Sequence, residues 1–356
     1  MSSIYSKNIE ISIFGESHGS MMGVTLSNVA PGIKIDFDYI NSELERRKGG
    51  HLASKRKESD KFEVVSGYFK GYTTGAPLTF IVKNEDVDSS SYERIKDTPR
   101  PGHADFAIHE KSLGFNDYLG GGASSGRLTV LLVIVGAFFK SILKNKGIDI
   151  YSHISKINDI DDCIDLNEVV SLDKDFPISN KNKEKAINLI ENMKNEKDSV
   201  GGIISGYILG VEAGIGEPFF DSVEATISSL LFSIPAVKGV AFGKGFAFSE
   251  LKGSEANDEF IYSNSKVITK TNNNGGINGG ITNGMPITLD IAIKPTPSIG
   301  IKQETVNLVS KTNEVIEING RHDPCILLKV PVVIESVLAI AIMDLYIGRY
   351  GYLWMK

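Results

Sequence analysis

Ser124-Ser125-Gly126-Arg127-Leu128-Thr129-Val130-Leu131-Leu132-Val133-Ile134-Val135-Gly136-Ala137-Phe138-Phe139 is the stretch that decides how this chain folds. Leu128, Leu131, Leu132, Val135, Phe138 and Phe139 recur at helical spacing, and Val130, Val133 and Ile134 fill the gaps between them. The predicted helix is therefore apolar nearly all round, and such a helix has no face to give to water. It belongs at the centre of the fold. Val330 to Tyr346 reads as a second strongly apolar helix, carrying Glu335 and Asp344.

Upstream of that centre, Ile9 to Phe14 and Met22 to Leu26 read as strands, and Asp36 and Asp38 open a helix that runs through Ile40 and Leu44 to Arg46 and Arg47. Glu63 to Tyr68 and Pro77 to Val82 alternate as an antiparallel pair joined through Gly71 and Gly75. Downstream, Asn182 to Lys197 confines Ala186, Leu189, Ile190 and Met193 to one stripe, which predicts a surface helix. Ile203 to Val211, Lys238 to Phe248 and Thr288 to Lys294 read as strands, and Asp221 to Phe232 as a helix. Lys48 to Lys61 and Asn84 to Asp105 read as loops; residues 252–274, rich in Ser, Asn, Asp and Lys, read as a mobile insertion. No linker or repeat divides the chain, so one large α+β domain over residues 1–356 is expected.

Composition narrows the function. Gly contributes 36 of 356 residues, about one in ten against an average near 7%, and glycines gather where backbone turns tightly or approaches a ligand. The net charge of -6 leaves no global positive field to hold DNA or RNA, although a local basic patch can bind a small anion. Cys163 and Cys325 show neither metal nor disulfide spacing, which fits a reducing cytoplasm. Met1 to Glu10 carries no export signal, and the longest apolar run, Val130 to Phe139, is about half of a bilayer span. A soluble protein bound to neither membrane nor nucleic acid is the expectation.

Five polar clusters lie in Gly-rich turns, while P-loop, zincin and dinucleotide fingerprints are missing. Phe14-Gly15-Glu16-Ser17-His18-Gly19 follows a strand and exposes a histidine able to exchange a proton near neutral pH. Arg100-Pro101-Gly102-His103-Ala104-Asp105 combines an acid with a guanidinium fork for phosphate or carboxylate, or else is a turn with Asp105 at a helix start. Gly120-Gly121-Gly122-Ala123-Ser124-Ser125-Gly126-Arg127 offers backbone amides and hydroxyls to an anion at a helix N-terminus. Residues 274–284 form a Gly run suited to a flat ring or to a flexible hairpin, and lead to Lys294-Pro295-Thr296-Pro297-Ser298, which suits a phosphate. Arg321-His322-Asp323-Pro324-Cys325 precedes the last apolar helix, as a reactive cluster or a salt-bridged turn. Together they describe a site for a multiply anionic substrate with a flat, phosphorylated cofactor, and spacing does not name the reaction. His109 and His153 fall outside every cluster.

Taken together, these segments resemble the chorismate synthase family. They occur in the family's order: the Gly15 to Gly19 run, Arg100 to Asp105, Ser125-Gly126-Arg127, Gly279 to Gly284, Lys294 to Ser298, and Arg321 to Cys325 followed by Glu335. Arg56-Lys57-Glu58, Gly216-Glu217-Pro218 and Ala236-Val237-Lys238-Gly239 agree as well. The resemblance implies a β-α-β sandwich, two antiparallel sheets around a central helical layer, assembled as a homotetramer. It implies loss of phosphate from 5-enolpyruvylshikimate 3-phosphate in a 1,4-anti elimination, with reduced FMN from an external flavin reductant and no net redox change.

Carried over by resemblance, His18 protonates reduced flavin, His103 is the acid near the departing phosphate, and Asp323 helps the flavin take the hydrogen, with Ser17 and Ser125 in the catalytic set. Ser124, Ser125, Ala236, Gly279, Lys294, Thr296, Ser298 and Arg321 fall where the family holds FMN; Arg46, Arg56, Arg100 and Arg127 fall among the substrate-binding basics, and no metal is implied. Ala123 stands where many members have Arg, Leu128 where many have Glu, and the basic loop after Arg47 is about two residues short. A homologue that binds flavin or phosphometabolite with little turnover is the alternative; a nicotinamide-dependent oxidoreductase is disfavoured by the missing fingerprint.

Overall fold

In a computed structural model, which describes residues 3–49, 60–84, 93, 96–318 and 323–356, the apolar stretch around Val130 forms the helix Thr129–Asn145. It packs beside Val330–Tyr350, whose residues Val330 to Ile347 are all buried. The two helices cross where a Cβ on Gly136 would stand 2.2 Å from Ser336 Cβ, so the close approach requires glycine at that point. In chain order the helices of seven residues or more among the described residues are α1 Phe37–Arg47, α2 Asp105–Lys111, α3 Thr129–Asn145, α4 Asn180–Glu196, α5 Val223–Leu231 and α6 Val330–Tyr350.

Two five-stranded antiparallel sheets flank them. The first comprises β1 Ile4–Ser6, β2 Glu10–Gly15, β3 Met21–Ser27, β4 Phe62–Ser66 and β5 Leu78–Lys83, in the order β1-β2-β3-β5-β4. The second comprises β6 Asp149–Ile157, β7 Ile160–Asp161, β8 Gly202–Leu209, β9 Val237–Phe242 and β10 Ile287–Ile293, in the order β9-β10-β8-β6-β7. Alternation sets the faces: Leu78, Phe80 and Val82 of β5, and Ile287, Leu289, Ile291 and Ile293 of β10, are buried. One core cluster joins these strands with α1, α3, α5 and α6. This is the α+β arrangement of antiparallel sheets and helices that was expected.

Both α3 with its lead-in, Gly126–Asn145, and α6 are long and apolar enough to cross a membrane by composition, at 20 and 21 residues. That corrects the expectation that no segment approaches such a length. Their apolar surface is covered inside this fold: 78% of the apolar window of the first and all of that of α6 are buried.

Polar groups tie α6 to its surroundings. Glu335 accepts from Arg46 Nη1 and Nη2 at 2.7 and 2.8 Å, from Lys140 at 3.0 Å and from Ser152 Oγ at 2.7 Å, while Glu43 accepts from Arg46 and Lys140. Burial by itself would raise the Glu335 carboxyl, but Lys140 and Arg46 outweigh it and hold the group well below the usual carboxylate range. Farther along α6, Asp344 accepts from the Asn8 and Ile9 amides at 3.0 and 2.9 Å, fastening the helix to the start of β2.

Two features were not expected from the sequence. β6 is a central strand whose buried polar residues, Ser152 and His153, serve Glu335 and Asp162, so the apolar alternation is missing. His153 is only 1% exposed and its Nε2 lies 2.8 Å from Asp162, so this histidine outside every cluster has a structural role. Residues 252–274, expected as a mobile insertion, contain the hairpin Phe260–Ser263 and Lys266–Thr269, and Asp258 accepts from Thr271, Asn273 and Asn274 at its base.

Candidate active site

Gly120, Gly121 and Gly122 take φ of +62°, +84° and +52°, a run of left-handed backbone that suits glycine alone. Two imidazoles pack against this run, one of them in the space where a side chain would stand. A Cβ on Gly120 would lie 2.3 Å from His18 Cδ2 and 2.9 Å from Ser17 Oγ, and a Cβ on Gly121 would lie 3.3 Å from His103 Cε1. His18 reaches this position from the tight turn after β2, where the Ser17 amide donates to Gly122 O at 3.3 Å and the Gly19 amide to Glu16 O at 3.1 Å. Beside it, burial and the neighbouring Asp117 push the Glu16 carboxyl up. Ser124 Oγ donates to Gly121 O at 2.8 Å, and Ser125 Oγ accepts from the Arg127 amide at 3.3 Å, closing the turn into α3.

The Arg100 turn faces the same glycines. Asp105 Oδ2 accepts from the Arg100 amide at 3.0 Å and from its Nε at 2.7 Å; Oδ1 accepts from Nη2 at 2.8 Å and lies 2.5 Å from His103 Nδ1. Burial would raise this carboxyl, yet the hydrogen bonds from Arg100 and His103 hold it far below the ordinary range. Arg100 Nη1 donates to Ser298 Oγ at 3.1 Å, and Lys294 Nζ donates to Gly102 O, which brings residues 294–298 against the turn.

Ala236 has φ of +76°, a strained value for a residue with a Cβ, and its carbonyl accepts from the Lys294 amide at 3.0 Å. Thr296 Oγ1 is buried without a hydrogen-bond partner among the described residues, while its carbonyl accepts from Ser199 Oγ at 2.7 Å. The next amide along, Val200, donates to Pro324 O at 2.9 Å and so links Asp323 to this segment. Asp323 is ion-paired with Lys329 at 2.9 Å. Burial pushes the nearby Cys325 thiol up to about 12.

Arg127 is buried and donates to Asp60, which also accepts from Arg47 Nη1 at 3.1 Å. Arg47 donates further to Gly126 O and Arg127 O, both at 3.2 Å.

His18, Ser17, His103, Arg100, Ser124, Ser125, Arg127, Ala236, Lys294, Thr296, Ser298 and Asp323 are thus joined by a continuous chain of contacts. Arg46 stands apart from it, its guanidinium engaged by Glu335 and Glu43. Gly279 also stands apart, in the hairpin Ile277–Asn278 and Ile281–Thr282, with nothing within 4 Å of where its Cβ would be. Arg56 and Arg321, with His322, lie outside the described residues. Sequence reasoning missed Asp60, which closes the polar run Lys55-Arg56-Lys57-Glu58-Ser59 with no periodicity around it. It read Asp105 only as a helix start, although the two-residue spacing from His103 within one turn was a usable signal.

The cluster couples two imidazoles, paired basic groups and Gly-lined backbone. Such a set can bind an anionic molecule, move protons and stabilise a leaving phosphate. A family model described as chorismate synthase matches residues 9–347. Chorismate synthase of Thermococcus kodakarensis is 44% identical over 347 residues, covering 97% of this chain and 98% of that one. That of Pyrococcus abyssi is 46% identical over 338 residues, covering 94% and 95%. A chorismate synthase crystal structure superposes with a TM-score of 0.74 at 25% identity, covering 98% of this chain and 94% of the other. On the full-length match in sequence and fold, the chain belongs to the chorismate synthase family, and its enzyme class is that of the carbon–oxygen lyases.

Proposed function

We propose that the chain eliminates phosphate from 5-enolpyruvylshikimate 3-phosphate in a 1,4-anti sense to give chorismate, with reduced FMN bound and no net redox change. One observation carries the reading: the rings of His18 and His103 lie against consecutive glycines, so two proton-handling groups converge on one loop. The net reaction breaks the carbon–oxygen bond to phosphate, which leaves with its electron pair, and one ring carbon–hydrogen bond, whose pair enters the new conjugated ring diene while the hydrogen is lost overall as a proton. His103, beside Arg100, protonates or hydrogen-bonds the departing phosphate oxygen, an effect worth about 10² to 10⁴ in rate. Arg127, with Arg47 next to it, and Arg100 supply charge to the anionic substrate. Asp323, oriented by Lys329, serves the side of the reaction from which hydrogen is lost.

The residues present fit a flat, phosphorylated cofactor. Lys294, Thr296 and Ser298 would hold its phosphate side, and Ser124, Ser125 and Ala236 its ring side; the unpartnered Thr296 Oγ1 and the strained Ala236 backbone support this. Reduced FMN, when bound, would supply electron density to the substrate without net redox change. His18 would hold a proton on the flavin side of the site, and an external reductant would keep the flavin reduced. Assembly as a homotetramer is part of the proposal, supported by Phe219, Phe220 and Phe246, which are 86%, 90% and 91% exposed.

His18→Ala and His103→Ala should each lower kcat by at least about tenfold with the fold intact, and His109→Ala should not. Full turnover in either motif variant, or equal damage in the His109 variant, contradicts the reading.

A further inference from the structure

We propose that Asp105 is a positioning residue for His103: anchored by Arg100, its carboxylate takes the proton on Nδ1 as a hydrogen bond and so leaves Nε2 as the nitrogen that exchanges a proton with the reacting molecule. This rests on the reading of His103 as the acid at the departing phosphate. Asp105 does not cap α2: the N-cap is Ala104, without a side-chain bond. Both carboxylate oxygens turn back into the turn that precedes it. Oδ2 is held by the Arg100 amide and Nε at 3.0 and 2.7 Å, and Oδ1, braced by Nη2 at 2.8 Å, lies 2.5 Å from His103 Nδ1. A carboxylate fixed from two directions cannot rotate away, so the ring it binds is fixed as well.

The guanidinium faces the ring as well: Arg100 Nη2 lies 3.0 Å from Nδ1 and 3.2 Å from Nε2. Lys294 adds another cation at the Gly102 carbonyl, and the glycine loop presents only backbone at Gly121. Asp105 ion-pairs with both groups, lying 2.7 Å from Arg100 Nε and 2.5 Å from His103 Nδ1, so one carboxylate orients the guanidinium and the imidazole together.

The test uses the enzyme with reduced FMN and substrate. In Asp105→Asn the alkaline limb of the kcat/KM profile should move to lower pH by about one unit, with at least about tenfold loss at pH 8. Asp105→Glu should regain part of the loss, and Asp105→Asn should add little to His103→Ala. Nitrogen NMR of the resting enzyme at alkaline pH should show the His103 proton on Nδ1 in the native chain. An unmoved limb in Asp105→Asn, with His103→Ala impaired, overturns the proposal alone; full turnover in His103→Ala overturns the reading beneath it. If Asp105→Asn does not fold, the native spectrum decides, and a neutral ring protonated on Nε2 contradicts the assignment.

Discussion

Three carboxylates each hold basic side chains at the site: Asp105 holds Arg100, Asp60 holds Arg127 and Arg47, and Asp323 holds Lys329. Each pairing orients a cation before substrate arrives, so less ordering remains to be done on binding. The glycines make the complementary contribution, since His18 occupies the volume that a Cβ on Gly120 would fill and His103 lies close against Gly121. Gly120→Ala should therefore abolish most turnover, by about a hundredfold or more, while melting stays within a few degrees of the parent; normal kcat would show that His18 is not held against this loop. At this scale the sequence was most legible where polar residues sit in Gly-rich turns, because a turn exposes its side chains. It was least legible at Arg46 and Arg47. Neighbours on a helix point about 100° apart, so one reaches Glu335 and the other Asp60, and no local pattern says which.

Among the elements, α3 and α6 were readable because an all-round apolar helix has only one place to go. β6 was not, because its buried residues are polar and belong to ion pairs formed across the fold. The network about Glu335 makes α6 sensitive to charge. Its carboxyl is held below the unfolded value, so its stabilisation is fully present above about pH 4.5 and is lost as pH falls through the folded value. Glu335→Gln leaves Arg46 and Lys140 facing Glu43 alone and should cost about 3 to 5 kcal/mol at pH 7. The gap between variant and parent should shrink below about pH 4 in acid melts. A pH-independent gap, or none, would mean that the network contributes no charge-dependent stability.

Taken as a whole, the molecule places two sheets around an apolar helical layer and gathers at its loops basic groups that the net charge of -6 conceals. The exposed phenylalanines belong to this scale too. A sedimentation mass near four times 38.7 kDa is expected, and a mass near 38.7 kDa would refute the tetramer. The fold brings into one region residues from 17 to 323 that the sequence had connected only through the shared chemistry of separate Gly-rich clusters and their joint resemblance to a family. Asp60 escaped because its partners lie at Arg47 and Arg127, distances along the chain that a local reading does not span. The most direct test is an anaerobic assay of phosphate and chorismate formed from 5-enolpyruvylshikimate 3-phosphate with reduced FMN, oxidised FMN and no flavin. Equal amounts of both products with reduced FMN alone are expected; no product with reduced FMN, or the same rate without flavin, would contradict the account.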